Sequence, residues 1–162
     1  MEAAGLAPSA DLGELGAAAA QSFALNDRYR IYNRVLGTGQ TGVVRAGLDL
    51  STGEEIAVKV LDRAHTERDP GRREALRREI TVSMRLQHEN IIRLYDVVIN
   101  SDRIHLIMEI ARGGELFAAV VQRGAMPEEE CRSYFHQLIS AVVRAPPNPE
   151  SSSLLSSSWP TH

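Results

Sequence analysis

Leu36-Gly37-Thr38-Gly39-Gln40-Thr41-Gly42-Val43-Val44, followed after a short interval by Ile56-Ala57-Val58-Lys59-Val60, decides how this chain folds. Glycines at 37, 39 and 42 let a backbone run close to a polyphosphate, with amides exposed where a side chain would obstruct. Lys59 supplies a point charge for the phosphates. Dinucleotide-binding domains spell their glycines the same way, but there a helix opens directly after them and an acid follows about 20 positions on. Here a strand follows. Val43-Val44-Arg45-Ala46-Gly47-Leu48 is β-branched at its start, and Ser51-Thr52-Gly53-Glu54 turns the chain into the next apolar run.

Strand periodicity puts Ala57, Lys59 and Leu61 on one face and Ile56, Val58 and Val60 on the other. With both faces apolar, a lysine in the middle is costly unless it is paired. The partner is legible in the next helix, read from Arg72 to Leu86, where Leu76, Ile80 and Met84 make an apolar stripe and the spacing places Glu79 on it. The remaining Arg72, Arg73, Glu74, Arg77 and Arg78 are an ordinary solvated face of mixed sign.

Together these stretches resemble the N-terminal lobe of a serine/threonine protein kinase. Gly37 to Val44 resembles the glycine-rich loop, Ala57-Val58-Lys59 the strand lysine that holds the α- and β-phosphates, and Glu79 the helix acid that positions it. The resemblance implies ATP as ligand. Leu36, Val44 and Ala57 would line the adenine pocket, with Thr38, Gln40 and Thr41 in the loop over the phosphates. Thr41 stands where many kinases carry an aromatic residue, which should soften nucleotide affinity.

Leu86-Gln87-His88-Glu89-Asn90-Ile91-Ile92-Arg93-Leu94 resembles the link from the helix into the next strand, and His88 reads as a loop histidine fastening the helix end. Over Arg103 to Ile110, Ile104, Leu106, Met108 and Ile110 alternate with His105, Ile107 and Glu109. By resemblance Met108 is the gatekeeper, and Glu109-Ile110-Ala111 is the hinge whose backbone meets the adenine edge. In Gly113-Gly114-Glu115-Leu116-Phe117, Glu115 either contacts ribose or a basic substrate residue, or is an ordinary acid in a helix's first turn. The wording of these segments is similar to calcium/calmodulin-dependent and sucrose-nonfermenting-related kinases, with plant-type calcineurin B-like-interacting kinases as one branch.

Pro127 and Glu128-Glu129-Glu130 open a further helix with Cys131, Phe135, Leu138, Ile139 and Val142 on one apolar face. In a whole kinase this helix leads to the catalytic loop, and its face is buried by segments beyond it. Here Pro146-Pro147-Asn148-Pro149 and a serine-rich run follow, a composition that reads as disordered. Neither His-Arg-Asp nor Asp-Phe-Gly occurs, and Glu150 is the one acid after Glu130. The aspartate that takes the substrate proton and the side chains that hold magnesium in this family have no counterpart in these residues. The expectation is an incomplete copy of the domain, with helix 126–145 poorly ordered, self-associating or partner-bound when isolated. A non-catalytic module that binds nucleotide or a protein partner, and an inert fragment, remain as alternatives.

The expected fold class is α+β: a five-stranded antiparallel sheet with one helix, then two helices of a partial large lobe. The divisions are a flexible alanine-rich tail at 1–26, the small lobe and hinge at 27–111, the partial large lobe at 112–145 and a disordered tail at 146–162. A net charge of −3 gives no reason to expect nucleic-acid binding. No apolar run approaches the roughly 18 residues of a membrane span. The lone Cys131 suits a reducing compartment, so the expected setting is intracellular, cytoplasmic or nuclear, with a protein substrate or regulator as partner. No leader or lipidation signal is read at the start, where Met1 is followed by Glu2.

Overall fold

The computed structural model describes residues 22–39 and 41–144. Gln40 and both chain ends, including the proline- and serine-rich run, lie outside the described residues. The elements in chain order are β1 (Ser22–Leu25), β2 (Tyr29–Gly39), β3 (Gly42–Asp49), β4 (Glu54–Asp62), α1 (Arg63–Glu67), α2 (Pro70–Arg85), β5 (Leu94–Ile99), β6 (Arg103–Glu109), α3 (Leu116–Arg123) and α4 (Glu128–Arg144).

The strands form one antiparallel sheet in the order β1-β2-β3-β4-β6-β5. Five of them are those expected from the sequence. The sixth, β1, pairs Phe23 with Ile31 and Leu25 with Tyr29, in a segment that the sequence reading assigned to the N-terminal tail. Four residues with only two large apolar side chains carry too short an alternation to distinguish a strand from an alanine-rich run.

The sheet curls until its ends meet. Although β3, β4 and β6 separate β2 from β5, the Tyr29 hydroxyl donates to Asp96 Oδ2 at 2.9 Å. Burial, and then this bond, push the Tyr29 phenol up to about 12, because an ionised phenolate would be both desolvated and set against a carboxylate. Phe23 likewise reaches across to set its ring edge-on to His105, 6.4 Å between centroids.

Curling gives the sheet two apolar cores, one on each face. Ile56 and Val58 of β4 join Leu25, Tyr29, Ile31, Val98 and Ile107 inside the curl, with Val60 against them. On the opposite face Leu61 joins Leu76 and Ile80 of α2 with Leu94, Ile104 and Leu106. The alternation expected for β4 and β6 is therefore the division between the cores. His105, 2% exposed, lies toward the inner core with Nδ1 lacking a hydrogen-bond partner, and burial lowers its pKa.

Helix α2 starts where its caps dictate. Pro70 fixes the first helical φ, and Asp69 Oδ1 accepts from Gly71 N at 2.9 Å and Arg72 N at 3.4 Å. Leu76 and Ile80 bury against the sheet as expected, but Met84, one turn on, is 44% exposed. The expected stripe ends there because the sheet surface does not extend under the last turn.

Candidate nucleotide-binding site

The glycine hairpin forms from β2 and β3. Gly37 pairs with Val44, Thr38 with Val43 and Gly39 with Gly42, leaving Gln40 and Thr41 as the connection. Two register irregularities, between Ile31 and Val35 and between Val35 and Gly37, fall just before it. Bulges of this kind sharpen twist and re-aim the end of a ribbon.

The three glycines have different reasons to be glycine. Among the described residues, a Cβ at Gly37 or Gly39 would meet no atom within 4 Å beyond the adjoining residues, so the space over these two is open. A Cβ at Gly42 would lie 2.3 Å from the Val60 carbonyl oxygen. The sequence reading gave all three one role, clearance for a polyphosphate. At Gly42 the structure supplies another, the close passage of β3 over β4.

Register carries the hairpin to the lysine. Gly37 opposes Val44, and Val44 opposes Lys59, so Val44 and Lys59 share a face. From α2, Glu79 Oε1 comes within 3.8 Å of Lys59 Nζ. The two meet as expected, but not in a dry interior: the lysine side chain is 24% exposed and the glutamate 57%. An ion pair this open is screened and worth about 0–1 kcal/mol. What it supplies is position, holding the ammonium at the mouth of the hairpin.

Ala57 is buried and opposes the half-buried Met108 across β4 and β6. Val44 is half-buried on β3 and Leu36 is exposed on β2, so these four fall on four adjoining strands of the sheet, β2-β3-β4-β6. Glu109 belongs to β6 rather than to a free hinge. Its N–H donates to the Arg93 carbonyl at 2.9 Å, and its Oε2 accepts from Arg93 N at 3.2 Å. Of the three residues expected to offer backbone to an adenine edge, Glu109 thus has its amide committed to Arg93, while the exposed Ala111 lies past the strand. Arg112 anchors the same segment through an ion pair to Glu55 of β4 at 2.8 Å.

Glu115 is the N-cap of α3, one residue before the first turn in which the sequence reading set it as one alternative, and its side chain makes no cap hydrogen bond. Its carboxylate is exposed and not engaged with its own helix. His88 fastens a helix, but not the one it follows. Its Nδ1 accepts from Asn90 N at 3.1 Å, which leaves Nε2–H to donate to Ser140 Oγ of α4 at 3.1 Å, and Asn90 Nδ2 donates to Gln137 Oε1 at 3.3 Å. The loop after α2 is thereby stitched to α4.

A groove of about 680 Å³ opens between that loop, the end of β6, α3 and α4. Of the expected site residues only Glu109 and Ala111 line it; Lys59, Glu79 and the glycines do not. Among the described residues no three His, Cys, Asp or Glu side chains gather to hold a metal ion.

Residues 30–144 match the family model of the protein kinase domain. This chain belongs to that family. The chain is also similar to curated plant kinases. A CBL-interacting protein kinase 16 from Oryza sativa subsp. japonica is 44% identical over 115 residues, 71% of this chain and 25% of the relative. A CBL-interacting serine/threonine-protein kinase 16 from Arabidopsis thaliana is 41% identical over 121 residues, 75% of this chain and 26% of the relative. The chain therefore spans about a quarter of the length of these relatives and is a partial serine/threonine kinase. The branch read from the sequence wording is the branch these names carry.

Within the kinase frame, the contacts that sequence reasoning missed are the ones that shape the lobe. Tyr29 with Asp96 and Phe23 with His105 close the curl, and both pairs join residues more than 60 positions apart. The one local signal was a tyrosine at the head of a strand, which has many uses. No helix among the described residues is long and apolar enough to cross a membrane.

Proposed function

We propose that residues 30–144 hold ATP as the nucleotide-binding part of a serine/threonine protein kinase, and that this sequence does not transfer phosphate by itself. The observation that carries the reading is the Lys59–Glu79 pair, 3.8 Å apart, on the face that register connects to the glycine hairpin. Lys59 would meet the α- and β-phosphates, Glu79 would hold the ammonium toward them, and the open space over Gly37 and Gly39 would admit the polyphosphate. Ala57, Val44, Leu36 and Met108 would enclose the base, and Glu115 is free to meet the ribose or a basic substrate residue.

In the family reaction magnesium would supply neutralisation of the charge on the phosphates. The described residues do not fit it, since they bring no cluster of acids together, and no step is assigned to it here. Nor does the sequence hold a His-Arg-Asp or Asp-Phe-Gly aspartate. The family reaction, a protein Ser/Thr substrate and a calcineurin B-like regulator of the kind in the relatives' names are proposed for the complete protein. An intracellular setting goes with that proposal.

Thermal denaturation with ATP, with and without magnesium, tests the reading. At ATP about tenfold above Kd, stability should rise by about 1.4 kcal/mol. Lys59→Met should abolish the rise while costing no more than the ~1 kcal/mol of an exposed ion pair. An equal rise in the variant, or no rise in the parent, would count against nucleotide binding; phosphate transfer by the purified chain would overturn the second half.

A further inference from the structure

The groove bordered by Leu116 and Val120 of α3 and by Phe135 and Leu138 of α4 shares Glu109 and Ala111 alone with the expected nucleotide site, and its two helical walls are apolar. Phe135 is 64% exposed, Leu138 58% and Val142 62%, on a helix whose charged side chains pair within it, Arg132 with Glu128, and with α3, Glu130 with Arg123. An amphipathic helix with its apolar face in water calls for a covering surface.

The chain continues from Arg144 at the end of α4, and Ala141, one turn earlier, already lines the groove. Pro146, Pro147 and Pro149 follow at once. They cannot extend the helix, and the residues before them are steered to extended backbone, so the chain must leave the axis of α4 there. Beyond them, residues 151–161 contain no Asp, Glu, Lys or Arg, and their large apolar side chains are three: Leu154, Leu155 and Trp159. A segment without charge gives up little solvation on entering an apolar groove.

Reach is ample. Leu154 is ten residues past Arg144, about 33–36 Å at full extension, against about 25 Å for the whole of α4. A segment tethered this closely meets the groove at an effective concentration of order millimolar, far above that of a second copy in dilute solution.

We propose that Leu154, Leu155 and Trp159 fold back onto their own chain and fill the groove between α3 and α4. They cover Phe135 and Leu138 and abut the hinge through Ile110 and Ala111. The C-terminal run is then an internal plug for this groove, not a spacer.

Trp159 is the chain's single tryptophan, which makes the test direct. In the full 162-residue chain, Trp fluorescence should be blue-shifted, and acrylamide quenching several-fold weaker than for N-acetyltryptophanamide. Leu154→Ser with Leu155→Ser changes residues outside the described elements; with the far-ultraviolet circular dichroism unchanged, it should move emission and quenching to solvent values. Phe135→Gln with Leu138→Gln, at exposed positions, should do the same with the far-ultraviolet circular dichroism unchanged. Solvent-like emission in the parent chain overturns the proposal. So does emission indifferent to both double variants, or a blue shift that appears only as sedimentation shows a dimer forming, which would make a second copy the occupant.

Discussion

The inside of the curled sheet and the outer face of α4 carry the same kind of side chain and meet opposite fates. Ile31, Val58 and Ile107 are fully buried, whereas Phe135, Leu138, Ile139 and Val142 are exposed on a helix whose pattern is just as regular. Hydrophobic periodicity states that a face wants a partner; it does not state that the partner is among the elements at hand. The sheet finds its partner in itself, by curling until β2 touches β5, and in α2. Among the described residues, helix α4 is tied to the loop after α2 through Ser140 and Gln137, which bond to His88 and Asn90, and Ala141 beside them is buried.

The sharpest break between the two regions should come from truncating one apolar side chain in each. Ile107→Ala, between the inner core residues, is expected to lower the unfolding free energy by about 2–5 kcal/mol, while Val143→Ala, 78% exposed on α4 and outside the groove, should stay within about 0.5 kcal/mol. Urea unfolding of both variants checks this. Equal losses would mean that α4 is as well packed as the sheet.

A smaller effect isolates the curl itself. Tyr29→Phe removes the bond to Asp96 and should cost about 1.5 kcal/mol, the low end for a bond to a charged acceptor, since Asp96 is half-buried and also accepts from Val97 N. Hydrogen exchange should show the loss at β2 and β5 together, although three strands separate them.

Alkaline pH gives the finest test of the same contact. The fold holds the Tyr29 phenol neutral, with its pKa raised from 10.0 to about 12. Its contribution is therefore intact below pH 10 and is lost as the pH climbs from 10 through 12. The urea midpoint should fall over that window in the parent chain and fall less in Tyr29→Phe.

How much of this was legible follows from what each signal can encode. Period-two alternation in Ile56–Leu61 and Ile104–Met108 named the two faces correctly, because both faces are covered and each residue's side is fixed by the pleat. The Lys59–Glu79 meeting was legible as well, since a cation on an apolar strand and an acid beside an apolar stripe require one another. Its openness to water was not, because helical spacing gives the direction of a side chain and not the edge of the surface beneath it. For the same reason Met84 was read as buried. Gly42 shows the opposite limit: its spacing fits a phosphate loop, yet the constraint on it is the Val60 carbonyl of β4, a neighbour that only the folded sheet supplies. His88 was rightly read as structural, while its partner, Ser140, lies 52 positions away, where no local pattern points.

The central claim is that the lysine and the glycine hairpin form one phosphate site. Backbone amide NMR during an ATP titration reaches it directly, because Gly37 and Gly39 sit beneath open space and glycine amides are easily followed. The account predicts saturable shifts at both amides in the parent chain and their loss in Lys59→Met. Shifts that persist undiminished without the lysine, or a parent chain whose hairpin glycines ignore ATP, would contradict it.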